Sequence, residues 1–463
     1  MNYIDTYQDF EGSPDIRAFI LGAISKHKQS DAYRTAIQAD LYDRQMNTTI
    51  NEYIQTLFTM DGVQVEDFTA TNTRIACNLF NNLNTQRCQY SLGNGVSFVQ
   101  PGEDEEDSVK EQLGRQFDHD ISEAAYYALI HGVSFPFWNY GDIVLFKLTE
   151  FVPLWDENDG RLRAGIRFWQ LNPYKPLNVT FYREEGYSSW RLGKDMVLRP
   201  VDASGNIAED GGEILQPYKV RTAYTPIDDS SIVVGQENYG SLPIVPMWAS
   251  RLKQSTLIGL QSAIDAYDLI RSGFADDLTD CAMVYWIVRN AGGMTDEGLA
   301  EFRDRVKFQH IASIDGSDGA DAQAYTQEVP YQARQAFLSE IRSGIYEDFG
   351  ALDVHAVQAG ATNDHIDAAY QPVDAKAADF EYCIGEAIVQ ILKLAGIEDT
   401  PIFRRDRISN QKEQVEMVVQ EAQWLDAGTI LRKLPNIRPD ERVAIMKAMQ
   451  EEDMQRFNVP SGE

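Results

Sequence analysis

Residues 242–290 read LPIVPMWASRLKQSTLIGLQSAIDAYDLIRSGFADDLTDCAMVYWIVRN, and they join an aromatic-rich first half of the chain to a helical second half. Leu257, Leu260, Ile264, Tyr267, Ile270, Phe274, Leu278 and Cys281 recur at steps of three and four, which puts them on one stripe of a helix. A helix from Ser255 to Ala282 would reach about 40 Å, with Gly259 and Gly273 inside it. A rod of that length stands beside copies of itself or runs through the core of a large domain. The first alternative predicts that its apolar stripe is only partly covered within its own subunit.

The wording of the stretch carries more. A Gly240-Ser-Leu-Pro-Ile-Val-Pro246 run leads into a helix containing Ile264-Asp-Ala-Tyr-Asp268 and Ser272-Gly-Phe-Ala-Asp-Asp-Leu278, followed by a strand. This resembles the portal proteins of tailed bacteriophages, and among them the SPP1-type portal family. Phe151 to Arg167 is similar to the strand, turn and strand of that family's wing. The resemblance covers essentially the full chain and implies an α+β portal fold with a helical stem, a β-rich wing, a small αβ clip and a C-terminal helical crown. Its parts would fall at residues 1–250 (wing), 251–282 (stem helix), 283–329 (clip), 330–350 (second stem helix), 351–362 (tunnel loop), 363–395 (long wing helix) and 396–463 (crown).

The same resemblance implies residue roles. Leu257, Leu260, Ile264, Tyr267, Phe274, Ile341 and Ile345 would form the stem contact between subunits. Met283, Val284, Tyr285, Trp286, Ile287, Arg303 and Lys307 would belong to the clip, and His355, Gln358, Gly360, Thr362 and Asn363 would face DNA from the tunnel loop. The implied role is mechanical: a ring, usually a dodecamer, at one capsid vertex, passing double-stranded DNA in both directions. Its partners would be the terminase motor, scaffold and major capsid protein, and a head-completion adaptor. The expected location is the virion, after assembly in the host cytoplasm, with no cofactor, no metal and no membrane.

Composition agrees with a folded protein: 463 residues are 43% hydrophobic, with 22 Tyr and 21 Phe. Lys and Arg number 41 against 71 Asp and Glu, a formal charge of −30 that argues against a protein gripping DNA through its phosphates. No basic, then apolar leader precedes residue 10, and no run approaches the roughly 20 apolar residues of a membrane span. Cys77, Cys88, Cys281 and Cys383 lack Cys-x-x-Cys spacing and read as reduced core residues.

Along the chain, Pro14–His27 and Ser30–Tyr53 carry helical spacing, with Ser30 or Asp31 capping the second. Thr71–Tyr90 reads as a helix, Gly93-Asn94-Gly95 as a turn into a strand, and Ser108–Ile130 as another helix after the acidic loop Pro101–Asp107. His131 to Val234 is β-branched and aromatic. Asp156–Gly160 lacks the calcium-loop order and reads as a hairpin turn. After the rod come an apolar strand at Met283–Ile287, a helix at Thr295–Phe308, a strand at His310–Ile314 and an Asp/Gly turn at Asp315–Asp321. A second rod follows at Tyr331–Phe349. Pro372 sits within a third periodic stretch, which either kinks there or begins there, and helices are expected at Arg404–Leu425 and Asp440–Arg456.

Enzymatic motifs are missing: no Gly-x-x-x-x-Gly-Lys-Ser/Thr, no His-Glu-x-x-His, no Gly-x-Ser-x-Gly, and six dispersed histidines. Two other classes stay open. One is a non-enzymatic cytosolic scaffold or adaptor of low oligomeric state, which native mass would separate from a ring. The other is a carboxylate metal-dependent nuclease, which calorimetry with divalent ions would exclude.

Overall fold

The computed structural model describes residues 5–58, 62–68, 70–99, 108–208, 212–225, 230–281, 285–289, 297, 321–325, 331–353, 363–405, 411–424, 427–433 and 445–448. They make an α+β protein of two compact units. The first comprises Met1–Gln45, Asn78–Gln261 and Tyr346–Glu463; the second comprises Met46–Cys77 and Ser262–Ile345. Met46–Cys77 thus groups with Ser262–Ile345.

In the first unit, α1 (Ile16–Gln29) is capped by Asp15, and α2 (Asp31–Asp43) by Ser30, whose hydroxyl accepts from the Tyr33 N–H at 3.1 Å. The stretch expected to be helical from Thr71 is extended to Asn78, and α3 begins only at Leu79 and ends at Leu92. The helix expected over Ser108–Ile130 is likewise two, Ser108–Leu113 and α4 (Phe117–His131). Gly114 lies between them at φ +86°, a conformation that a helix interior excludes. Strands β1 (Val133–Asn139) and β2 (Asp142–Lys147) pair with each other, and Met247–Trp248 pairs with β1.

The larger sheet follows. Its strands β3 (Phe151–Trp155), β4 (Leu162–Trp169), β5 (Asn178–Arg183), β6 (Gly186–Leu192) and β7 (Leu198–Val201) lie in the order β7-β6-β5-β4-β3. All are antiparallel, and Leu215–Gln216 adds to β6. Ile20, Ala23 and Ile24 of α1 bury against Val152, Ile166, Phe181 and Trp190 of this sheet. A full burial of each large apolar side chain stabilises by about 1.5–3 kcal/mol. The β3–β4 connection at Asp156–Gly160 is a hairpin turn, as expected. There the Asn158 N–H, then the Gln8 amide, hold the Asp156 carboxyl down at about 2.

The rod is α5 (Leu257–Cys281), close to its expected bounds. In the second unit β8 (Tyr285–Arg289) pairs antiparallel with β9 (Asp321–Tyr325), so Asp321 opens a strand where a turn was expected. Thr295–Phe308, His310–Ile314 and Asp315–Ala320 lie outside the described residues except for Glu297. The second rod is α6 (Tyr331–Phe349), and α7 runs from Asn363 to Ala395. Because α7 begins ahead of Pro372, the proline is interior and the Ala368 carbonyl loses its usual N–H donor. Phe380, Ile384, Ile388 and Ile391 of α7 share a core with Phe117, Ile121, Ala124 and Ala128 of α4. Farther on, helix covers Gln411–Glu421 and Ala427–Lys433. Burial pushes the Cys88 thiol up to about 12, which fits a reduced, unreactive core residue. Among the described residues no helix is long and apolar enough to cross a membrane.

Candidate functional site

Two arrangements surround the regions to which the sequence assigns function. The first is on α5. Its buried row starts as Leu257, Leu260 and Ile264 and continues, at steps of four, as Asp268, Ser272 and Asp276. A helix face of this kind is normally apolar throughout. Here its polar half receives a peptide: the N–H groups of Thr73, Ile75 and Cys77 donate to Asp276 Oδ1 (2.7 Å), Ser272 Oγ (3.0 Å) and Asp268 Oδ1 (2.9 Å). The extended segment runs antiparallel to the helix. The spacing permits it, because two residues of extended chain cover about 6.6 Å and four residues of helix about 6 Å.

Side chains lock the two ends of this ladder. Asn47 Nδ2 donates to Asp268 Oδ2 at 2.5 Å and to the Cys77 carbonyl at 3.1 Å, so both backbone groups of Cys77 are held. Gln55 Nε2 donates to Asp276 Oδ2 (3.2 Å) and to the Thr71 carbonyl (2.8 Å), and Thr49 Oγ1 donates to Asp265 Oδ2 (2.8 Å). Burial raises the Asp268 carboxyl above its ordinary value, against the pull of the Asn47 and Cys77 donors. Farther along α5, Asp277 pairs with Arg334 of α6, and the Phe274 ring lies 5.7 Å from that of Tyr331.

The second arrangement, in the first unit, fixes the residues on either side of 354–362. The C-terminus of α6 closes with Gly350 at φ +70° and an Ala351 N–H to Tyr346 carbonyl bond of 2.9 Å, a glycine-terminated cap. Any Cβ at Gly350 would meet Lys376 Cγ at 2.7 Å. Arg87 of α3 donates to the freed carbonyls of Phe349 (2.8 Å) and Gly350 (3.0 Å), with its guanidinium 4.7 Å from the Phe349 ring, and Gln86 donates to the Leu352 carbonyl (3.0 Å). A cation at a helix C-terminus is favoured by the helix dipole, while burial brings the Arg87 guanidinium down to about 10. On the other side, Tyr90 of α3 stacks on Tyr370 of α7 at 5.6 Å and donates to Asp374 at 2.6 Å. Arg405 binds that same carboxylate (2.8 Å) and forks onto Glu381 (2.9 and 2.8 Å). One short helix therefore holds both chain ends that flank the segment.

The residues expected at functional positions have the following places. Leu257, Leu260, Ile264 and Ile345 are buried within the single chain. Tyr267, Phe274 and Ile341 are half-buried, while Leu278 and Phe337 stand exposed nearby in sequence on the same two helices. Tyr285, Trp286 and Ile287 lie in β8, which among the described residues pairs only with β9 of its own chain. Met283, Val284, Arg303, Lys307, His355, Gln358, Gly360 and Thr362 lie outside the described residues, and Asn363 opens α7. Among the described residues no cluster of His, Cys, Asp or Glu could hold a metal.

Comparison with known proteins places the chain. The portal protein of Clostridium phage phiCD119 is 27% identical over 212 residues, which cover 43% of this chain and 46% of that protein. The portal protein of Bacillus phage SPP1 is 23% identical over 430 residues, 87% of this chain and 80% of that protein. The match thus spans about half the length of the clostridial relative and four fifths of the Bacillus one. The phage portal protein family of the SPP1 Gp6-like type matches residues 26–456, nearly the whole length, and the chain belongs to that family.

Proposed function

We propose that this chain is the subunit of a ring at one capsid vertex, through which viral double-stranded DNA is packaged and ejected and on which the terminase motor and head-completion proteins dock. The observation that carries this reading is the family match across residues 26–456. The role is mechanical, and the protein resides in the virion after assembly with scaffold and major capsid protein in the host cytoplasm. The charge of −30 suits a conduit: a negative wall repels the duplex within a Debye length of about 8 Å. Residues 283–329, with Arg303 and Lys307, are the proposed clip, supported by the antiparallel β8–β9 pair between α5 and α6.

The stem contact between subunits is then carried by what α5 and α6 leave uncovered: Tyr267, Phe274 and Ile341, with Leu278 and Phe337. Phe337→Glu is expected to give a folded subunit that no longer forms rings where wild type does, since a central apolar contact is worth about 2 kcal/mol in each interface. Native mass and negative-stain images read the result. Rings of normal size from the variant would remove α6 from the contact, and a wild-type chain that stays monomeric would sink the portal reading.

Residues 351–362 are the proposed tunnel loop, with His355 and Gln358 as neutral polar contacts to DNA and Asn363 at its end. Support comes from its position between α6 and α7 and from the bracing of both flanks by α3. Neutral groups let a duplex slide, whereas clustered lysines would grip it. Gln358→Cys is expected to crosslink between neighbouring subunits and to be shielded from maleimide in DNA-filled particles. Equal labelling of empty and filled particles would take the loop out of the channel.

A further inference from the structure

The second unit carries a small strand pair with nothing packed on it. Thr56–Phe58 and Gln64–Glu66 pair antiparallel, Thr56 opposite Glu66 and Phe58 opposite Gln64, and among the described residues neither pairs with a third strand. Gln64, Val65 and Glu66 are all exposed, and successive strand side chains point to opposite faces, so both faces of this strand are open. A two-stranded pair standing alone is marginal in water. This one also turns apolar groups outward: Phe68 is 86% exposed and Val63 57%, with Tyr53, Ile54 and Val65 exposed beside them.

Its root, by contrast, is fixed. The Asp67 N–H donates to the Gln55 carbonyl (2.9 Å), Asn72 Nδ2 to the Tyr53 carbonyl (3.4 Å) and Arg74 to the Asn51 carbonyl (2.8 Å). Gln55 Nε2 reaches Asp276 of α5, so the pair is tied to the rod at a point between Phe274 and Leu278 in sequence. The two rods hold a second bare apolar surface there. Leu278, Phe337 and Tyr331 are each about half exposed, beside the half-buried Phe274. Within one chain, then, neither surface covers the other. Their charges are opposite: Glu52 and Glu66 of the strand pair are exposed with no ion-pair partner among the described residues, and so is the cation Arg271 of α5.

We infer that the strand pair of one copy docks across α5 and α6 of the next copy, with Val63, Val65 and Phe68 against Phe274, Leu278 and Phe337 and with Glu52 and Glu66 toward Arg271. A ring closes through two different patches that meet head to tail, and this unit supplies both, apolar at the centre and complementary in charge at the rim. The free carboxylates exclude DNA as the occupant, since they repel phosphate. The inference rests on the portal reading and goes beyond its stem contact, which joins rod to rod: here a segment far from the rods in sequence reaches over to grip the neighbour's.

The test uses rings of the full-length chain carrying Phe68→p-benzoylphenylalanine. Irradiation is expected to give a covalent dimer on a denaturing gel, with the link mapped by mass spectrometry to residues 262–281 or 331–345 of the second copy. A link only within one chain, a link to any other part of the second copy, or no link would overturn the inference. Separately, Glu52→Lys combined with Glu66→Lys, and Arg271→Glu alone, are each expected to raise the concentration at which rings form about tenfold by native mass, while the monomers melt as wild type does. All three changes together are expected to recover most of that loss, because the charges have exchanged sides. Assembly unchanged by either set, or no recovery in the combination, would overturn it as well. A wild-type chain that forms no rings would instead sink the portal reading, and this inference with it.

Discussion

An Ile264→Asp subunit is expected to fail to fold, not to fold and remain monomeric. Ile264 is fully buried in the single chain, between Leu260 and Asp268 on the same row of α5. Removing its side chain from the core forfeits about 1.5–3 kcal/mol. The new carboxylate would stand one helical turn from Asp268 with no cation on the row, and an unpaired buried charge costs several kcal/mol more. The sum, about 5 kcal/mol or above, is comparable with the whole stability of an ordinary domain, about 5–15 kcal/mol. Thermal unfolding followed by circular dichroism reads the outcome, with Ile264→Val as the control at about 1 kcal/mol. A cooperative melt within a few degrees of wild type would show that the row is not core.

The second large effect belongs to Asp268. Asp268→Ala removes the acceptor for the Cys77 N–H and for the Asn47 amide, two buried donors, and is expected to destabilise by about 3 kcal/mol. Asp268→Asn is expected to cost only about 1 kcal/mol. Its carbonyl can still accept from Cys77, and Asn47 can turn its own Oδ1, which has no hydrogen-bond partner among the described residues, toward the new amide. The pH dependence has a definite sign. The folded carboxyl lies above the ordinary value of 3.8, so the folded state holds the proton more tightly than the unfolded chain does. Asp268 therefore adds stability as pH falls through its raised folded value toward 3.8, and loses that contribution as pH rises. Denaturant melts should show wild type gaining on the asparagine variant across that window. A gap that shrinks instead would mean that the fold favours the carboxylate.

The two rods, the β-rich middle and the family itself were legible because they rest on local patterns: apolar residues at steps of three and four, β-branched runs between turns, and the wording of 240–278. The polar half of α5 was not. Periodicity follows Tyr267, Ile270 and Phe274, whereas the buried row turns to Asp268, Ser272 and Asp276. An aspartate reads as solvent-facing unless its partner is known, and here the partners are backbone N–H groups of a segment far away in sequence. The one available signal was that these three residues continue the spacing of Leu260 and Ile264. The same long-range contact explains the missed start of α3: with the N–H groups of Thr73, Ile75 and Cys77 given to α5, that segment stays extended. Arg87 was hidden for a related reason. A lone arginine in α3 looks like a solvated side chain, and only the end of α6, brought beside it by the fold, gives it two carbonyls to hold. For the stem residues, periodicity identifies a buried stripe without saying whether the cover comes from the same chain or the next.

The antiparallel course of Thr73–Cys77 along α5 sets how that joint bears load. A pull directed along the helix axis strains all three rungs at once, in shear, and the joint yields only when they give way together. A pull at right angles, begun at either end, peels them singly, each in turn exposed at the fork. Asn47 and Gln55 sit at those two ends, so the places where peeling would start are the places where the extended segment is most strongly tied.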